Sequence, residues 1–303
     1  MKNTLITKRI HFFNSTKLKI FCLIIYLVPF GINYLQAETS NSNKIISDST
    51  SINDDKTDND KVNNFKLAFK YGNNIQQRGK KMVVDQHYMQ PSFRYSNSNG
   101  IYACLSYEYL LNVKKDHIDN IAVNVGYDKE FTDYFSASID YSYSKYFSTK
   151  QITSGEPHTL TLDATFDNDI ITLCISGIGS FGNVNDITTS LDLSHIFLIH
   201  HLFNKKDKLT IPIIVGAYAG TSNFYRDYLL VNNVKNKKGK AITANEINTE
   251  FALTSDYITT GIKYRVGFFS IGSTITYSSE FNQPKTLATS NEPVYDVTMA
   301  FYF

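Results

Sequence analysis

Ser194 and His195 are the pair whose types most resemble a nucleophile and its base, in the run Asp192-Leu193-Ser194-His195-Ile196-Phe197-Leu198-Ile199-His200-His201. A hydrolytic site needs hydroxyl and imidazole within hydrogen-bond reach of each other. Neighbours on a strand point to opposite faces, so His195 would have to take a Ser or an acid from an adjoining strand. It reads instead as a wall or interfacial residue, with His200 and His201 at the strand end before Asn204-Lys205-Lys206. The three cysteines, Cys22, Cys104 and Cys174, form no CxxC or Cys/His cluster of zinc spacing. Cys104 and Cys174 fall on separate expected strands and read as two unpaired thiols, although a bridge stays open. With no phosphate loop, nucleotide fingerprint or metal ladder, the sequence points to no catalytic residue, cofactor or metal. The chemistry that remains is charge. Lys66, Lys70, Arg94, Glu108, Asp128, Asp140, Asp163, Lys263, Arg265 and Asp296 all fall in one phase of alternating segments. Facing the inside of a closed sheet, they suit a narrow water-filled pore or a set of interlocking ion pairs.

The elements that must position those charges are strands. From Phe65 onward apolar and polar residues trade places, most clearly in Phe135-Ser136-Ala137-Ser138-Ile139-Asp140-Tyr141-Ser142-Tyr143-Ser144. Period two places alternate side chains on opposite faces of a strand. The pattern predicts strands at 65–72, 87–96, 101–110, 119–128, 133–144, 158–167, 170–181, 189–203, 209–222, 252–265, 267–279 and 293–303. Many reach the nine to eleven residues that a transmembrane strand needs. The connections alternate in length, long at 73–86 and 111–118, short at 97–100 and 129–132, with a near-direct junction at Val266. Short turns on one side and longer loops on the other suit an up-and-down barrel with both termini on the short-turn side. The fold expected is all-β: a single closed antiparallel transmembrane barrel of about twelve strands (10–14 as the range). Its lipid-facing phase holds Leu67, Phe69, Leu105, Tyr107, Ile139, Tyr141, Ile262, Tyr264 and Phe301. With 21 Tyr, 21 Phe and no Trp, Tyr71, Tyr95, Tyr127 and Tyr277 are left to form interfacial girdles.

The first 37 residues read as a signal peptide. Lys17 and Lys19 precede an apolar run from Ile20 to Phe30, and Ala37 offers a small residue for cleavage before Glu38. The run is too short to span a membrane as a helix, and Lys19-Ile20-Phe21 before Cys22 is no lipobox. Residues 38–64 are Ser, Asn, Asp and Lys with little to bury, and are expected as a flexible polar tail. Residues 65–303 are the barrel. Without the basic leader, the formal charge of +2 becomes 25 basic against 28 acidic side chains, a net of −3, so charge gives no support to nucleic-acid binding.

The last strand places Tyr295, Val297, Met299, Phe301 and Phe303 in one phase. This resembles the C-terminal β-signal of bacterial outer-membrane β-barrel proteins, which ends in an aromatic residue with apolar residues at alternate positions. The resemblance covers 65–303 as architecture. It implies recognition by the barrel-assembly machinery, a place in the Gram-negative cell envelope among outer-membrane lipid, and periplasmic termini. The function expected is a small, porin-like diffusion channel for small solutes. The alternative is a structural or surface-adhesion barrel, with binding of surface polymers in the 223–251 loop. That loop carries Lys235, Lys237, Lys238 and Lys240 and reads by composition as a solvated loop. A lipid-modifying enzyme is the remote alternative: an outer-membrane phospholipase family also has twelve strands and a Ser–His–Asn site, but its His-x-Ser-Asn-Gly stretch is absent here.

Overall fold

The computed structural model of the chain describes residues 64–81, 86–111, 118–147, 154–168, 170–235, 238–281 and 292–303. The expected signal peptide and the polar stretch up to residue 63 lie outside the described residues.

Twelve long strands close into one antiparallel barrel. They are β1 (Asn64–Gly72), β4 (Tyr88–Ser96), β5 (Ile101–Leu110), β6 (Ile118–Thr132), β7 (Phe135–Tyr146), β8 (His158–Asp167), β9 (Thr172–Phe181), β10 (Asp186–His200), β11 (Asp207–Gly220), β12 (Ala252–Val266), β13 (Phe269–Glu280) and β14 (Val294–Tyr302). Each pairs with its neighbours in sequence, and β1 completes the ring on β14. Two short strands, β2 (Gln76–Gln77) and β3 (Lys80–Lys81), form a separate hairpin inside the first connection. The strand number agrees with the alternation, while several boundaries move. β6 runs on to Thr132, so its turn is 133–134 and not 129–132. β10 begins at Asp186, three residues before the expected start. β12 and β13 join through Gly267-Phe268, where Gly267 has φ 56, so the junction is a true two-residue turn.

The strands are strongly tilted. The row of partners from His158 runs through Tyr143, Val123, Leu105, Phe93, Leu67, Phe301, Phe269 and Val266 to Asp207. It starts at the first residue of β8 and arrives at the first residue of β11, which lie at opposite rims. Such a climb is the stagger that closing a barrel requires. One rim carries the connections 73–87, 111–117, 147–157, 182–185, 221–251 and 281–293. The other carries the turns 97–100, 133–134, 168–171, 201–206 and 267–268, with the start of β1 and the end of β14. They are the loop rim and the turn rim below.

Burial is inverted relative to a soluble protein. Phe93, Leu105, Val123, Leu162, Ile175, Leu193, Val215, Ile258 and Met299 stand exposed on the outer wall, Leu162 at 53%. Ser142, Ser176, Ser190, Thr210, Asn124 and Thr276, in the opposite phase, are buried. Exposed apolar and buried polar residues are the informative departures from the usual rule, and here they cover the whole wall.

Candidate functional site: the charged interior and its closure

All ten charges expected inside lie in the phase opposite the exposed apolar side chains. Arg94 pairs with Asp128 at 3.2 Å and lies 3.8 Å from the Tyr102 ring centroid. Lys70 pairs with Asp296 at 3.5 Å. Tyr102 lies over Gly126, where a side chain would collide with its ring, and donates to Asp140 at 2.9 Å. Ser138 donates to Asp163 at 3.2 Å, and Ser176 donates to its other oxygen. Glu108 is buried. Arg265 lies 4.3 Å from the Tyr302 ring centroid and Lys66 lies 5.8 Å from it, on the other side in register. Lys263 faces Thr210 and Gly272 on the flanking strands. The inward charges are unevenly spread: β6, β7, β8 and β10 carry Asp128, Asp140, Asp163 and Asp192, while β11, β12 and β1 carry Lys208, Lys263, Arg265, Lys66 and Lys70, with Asp296 of β14 against Lys70.

The loop rim is closed by a segment that composition does not reveal. The β2–β3 hairpin, Gln76-Gln77-Arg78-Gly79-Lys80-Lys81, folds into the barrel mouth. Arg78 and Gly79 form its turn with φ 50 and 76, the positive pair that a type I′ turn requires. Gly79 has no room for a Cβ, which would collide with Ser255 of β12. Arg78 reaches Glu156 at 2.8 Å, donates to Ser180 of β9 and packs 4.9 Å from the Phe224 ring centroid. Lys80 donates to the carbonyls of Thr254 and Phe281, and Gln76 donates to Ser278 of β13 at 3.4 Å. The hairpin thus leaves β1, crosses the mouth and is fastened to β9, β12 and β13. Burial raises the Glu156 carboxyl to about 8, with Arg78 opposing and Asp186 adding to the rise. Burial lowers the Lys80 ammonium to about 8 against the opposing charge of Glu280.

The 221–251 connection covers the hairpin, which corrects the expectation of a solvated loop. Helix α1 (Asn223–Val231) buries Phe224, Tyr225, Tyr228 and Leu229, and these join Ile75, Tyr88, Leu110, Ile242 and Ile247 in one apolar cluster. Ser222 at the helix start makes no capping bond. Asp186 at the start of β10 does that work from another strand, accepting from Asn223 N at 2.9 Å and Phe224 N at 2.7 Å. A carboxylate there also complements the helix dipole. The lysines at Lys235, Lys238 and Lys240 remain exposed.

The residues weighed for catalysis do not come together. Ser194 and His195 occupy opposite faces of β10, and the His195 ring meets the Ile170 carbonyl and the edge of Phe197 at 4.5 Å. Cys104 and Cys174 are unbridged. Among the described residues, no group of three or more His, Cys, Asp or Glu is placed to hold a metal.

Comparison with known protein families finds no match, and comparison with curated proteins finds none. Among solved structures the chain is similar to the KdgM porin (TM-score 0.43, 11% identity, covering 78% of this chain and 99% of that one). It is also similar to the NanC porin (0.46, 10%, 78% and 98%) and to the translocator domain of the autotransporter NalP from Neisseria meningitidis (0.46, 10%, 86% and 92%). These neighbours are outer-membrane β-barrel proteins. At such scores none of them tells what this chain does.

Proposed function

We propose that the chain is an outer-membrane barrel of the porin kind, a small diffusion channel whose loop rim is closed by the 75–81 hairpin under α1. One observation carries this reading: a closed barrel with an apolar outer wall and a polar, charged interior. A bilayer stabilises the first and excludes water from everything except the second. In this reading residues 1–37 direct export, Tyr295, Val297, Met299, Phe301 and Phe303 are the phase read by the assembly machinery, and the turn rim with both barrel termini faces the periplasm. The loop rim then faces outward. A second reading, a surface barrel without transport, is favoured by the mouth closure itself. Planar-bilayer conductance of refolded residues 38–303, beside a variant with 75–81 replaced by a Gly/Ser linker, separates the two. Conductance that appears or grows in the linker variant supports a gated channel. Silence from both, with folding confirmed by heat-modifiable gel mobility, supports the surface barrel. A mature protein that stays soluble without detergent sinks both.

A further inference from the structure

Four cations lie side by side around the turn-rim end of the interior. Lys208 and Arg265 are register partners on β11 and β12, and Lys66 and Arg94 are partners on β1 and β4. Between them stands Tyr302 of β14, flanked by Arg265 and Lys66, with Ser270 at 3.5 Å from its hydroxyl. Lys263, two residues from Arg265, extends the row along β12. Cations and acids also differ in access. Glu108, Asp140, Asp163 and Asp192 are at most 6% exposed, and Tyr102, Ser138, Ser176 and Tyr257 donate to the last three. Lys66, Lys208, Lys263 and Arg265 are half-exposed. A solute inside would meet these cations by contact and those acids only through space. Of the half-exposed acids, Asp128 and Asp296 are held by Arg94 and Lys70. Glu130 and Asp167 lie across the rim on β6 and β8, where they push an anion toward the arc.

We propose that the arc of Lys208, Arg265 and Lys66 about Tyr302 is a binding track for anionic solutes, carboxylate-bearing ones in particular. Arg supplies the planar fork that fits a carboxylate and Lys a point charge, while the Tyr302 ring gives the solute body an apolar face. The inference rests on the channel reading for transport, but binding to the arc can be measured without conductance. Citrate titrated calorimetrically into the refolded protein is expected to bind saturably, more weakly as salt rises. Lys66→Gln should weaken that binding about fivefold, and Lys66→Gln with Arg265→Gln about 25-fold, taking each wet charge contact as independent. Where the protein conducts, the reversal potential in a KCl gradient should show anion preference, falling in the double variant. Citrate affinity unchanged in the double variant, with the fold verified by heat-modifiable mobility, overturns the proposal. So does a cation-preferring channel indifferent to those substitutions, which would leave the channel reading intact. A silent bilayer together with citrate binding lost in the double variant would sink the channel and keep the anion site.

Discussion

Arg78→Ala is expected to open the barrel mouth. The guanidinium is 8% exposed and its partner Glu156 is 0% exposed, at 2.8 Å, so the substitution strips a buried carboxyl of its neutralising charge. Removing one member of a buried pair costs about 3–5 kcal/mol. Glu156 escapes part of that by keeping a proton, since burial already holds it at about 8. The bond to Ser180 and the contact with Phe224 go too, which keeps the cost near the lower end. About 3 kcal/mol is a shift of roughly a hundredfold in the ratio of closed to open mouths. The assay is opening frequency in planar bilayers at neutral pH, with limited proteolysis of the 75–81 hairpin as a second readout. Replacing both residues, Arg78→Leu with Glu156→Leu, should largely restore closure, because apolar side chains in place of a buried ion pair are near neutral. If Arg78→Ala opens no more often than wild type and its hairpin resists protease equally well, the mouth is not held by this latch.

Closure should weaken as pH rises from about 4.5 to 8, because Glu156 must then surrender a proton on opening or carry its charge while buried beside Asp186. Above 8 the sign reverses: Lys80, facing Glu280 and Tyr225, is neutral in the closed mouth, and closure strengthens toward 10.5. Open probability should therefore peak near pH 8, and Glu156→Gln should make the acid limb shallower while leaving the limb above 8 unchanged; a monotonic profile refutes the pairing. Gly79→Ala places a Cβ at φ 76 against Ser255 and should loosen the hairpin by about 1–2 kcal/mol, read as faster proteolysis, with partial rescue by Ser255→Gly. Leu162→Arg on the outer wall should destabilise the barrel in vesicles by about 2–4 kcal/mol in urea titrations; an unchanged midpoint would mean that this face does not meet lipid.

The barrel was legible because each strand announces itself twice, in its period and in the side chains that period exposes. Leu160, Leu162 and Phe166 alternate with Thr161, Asp163 and Thr165, and no distant contact is needed to read that. That the ten charges share the phase opposite the apolar residues was legible for the same reason. Their partners were not: Arg94 meets Asp128, and Tyr102 meets Asp140, only through a register fixed by the whole ring. The hairpin was invisible because polar side chains such as Gln76 and Lys80 normally mark solvent, yet both are nearly fully buried by bonds to the wall and the rim carbonyls. Helix α1 left a signal that averaging hid. Phe224, Tyr225, Tyr228 and Leu229 sit at helical spacing, but the Lys, Asn and Gly that follow dominate the composition of the loop.

The seam between β1 and β14 makes the chain topologically a ring with one cut. Phe65 and Phe303 exchange main-chain hydrogen bonds at 3.0 and 2.8 Å, as residues flanking a hairpin turn do. Every other long-strand contact joins sequence neighbours and is entropically cheap to form; this one closes a loop of the entire barrel. The seam should therefore zip last, leaving two sheet edges open until then, which is the state in which strands pair wrongly. A linker of a few residues from Phe303 to Asn64 would add a sixth turn to the turn rim. New ends could then be cut at 133–134 without changing a single strand neighbour. The order of strands along the chain is then a matter of synthesis and delivery, and the finished wall keeps no memory of it.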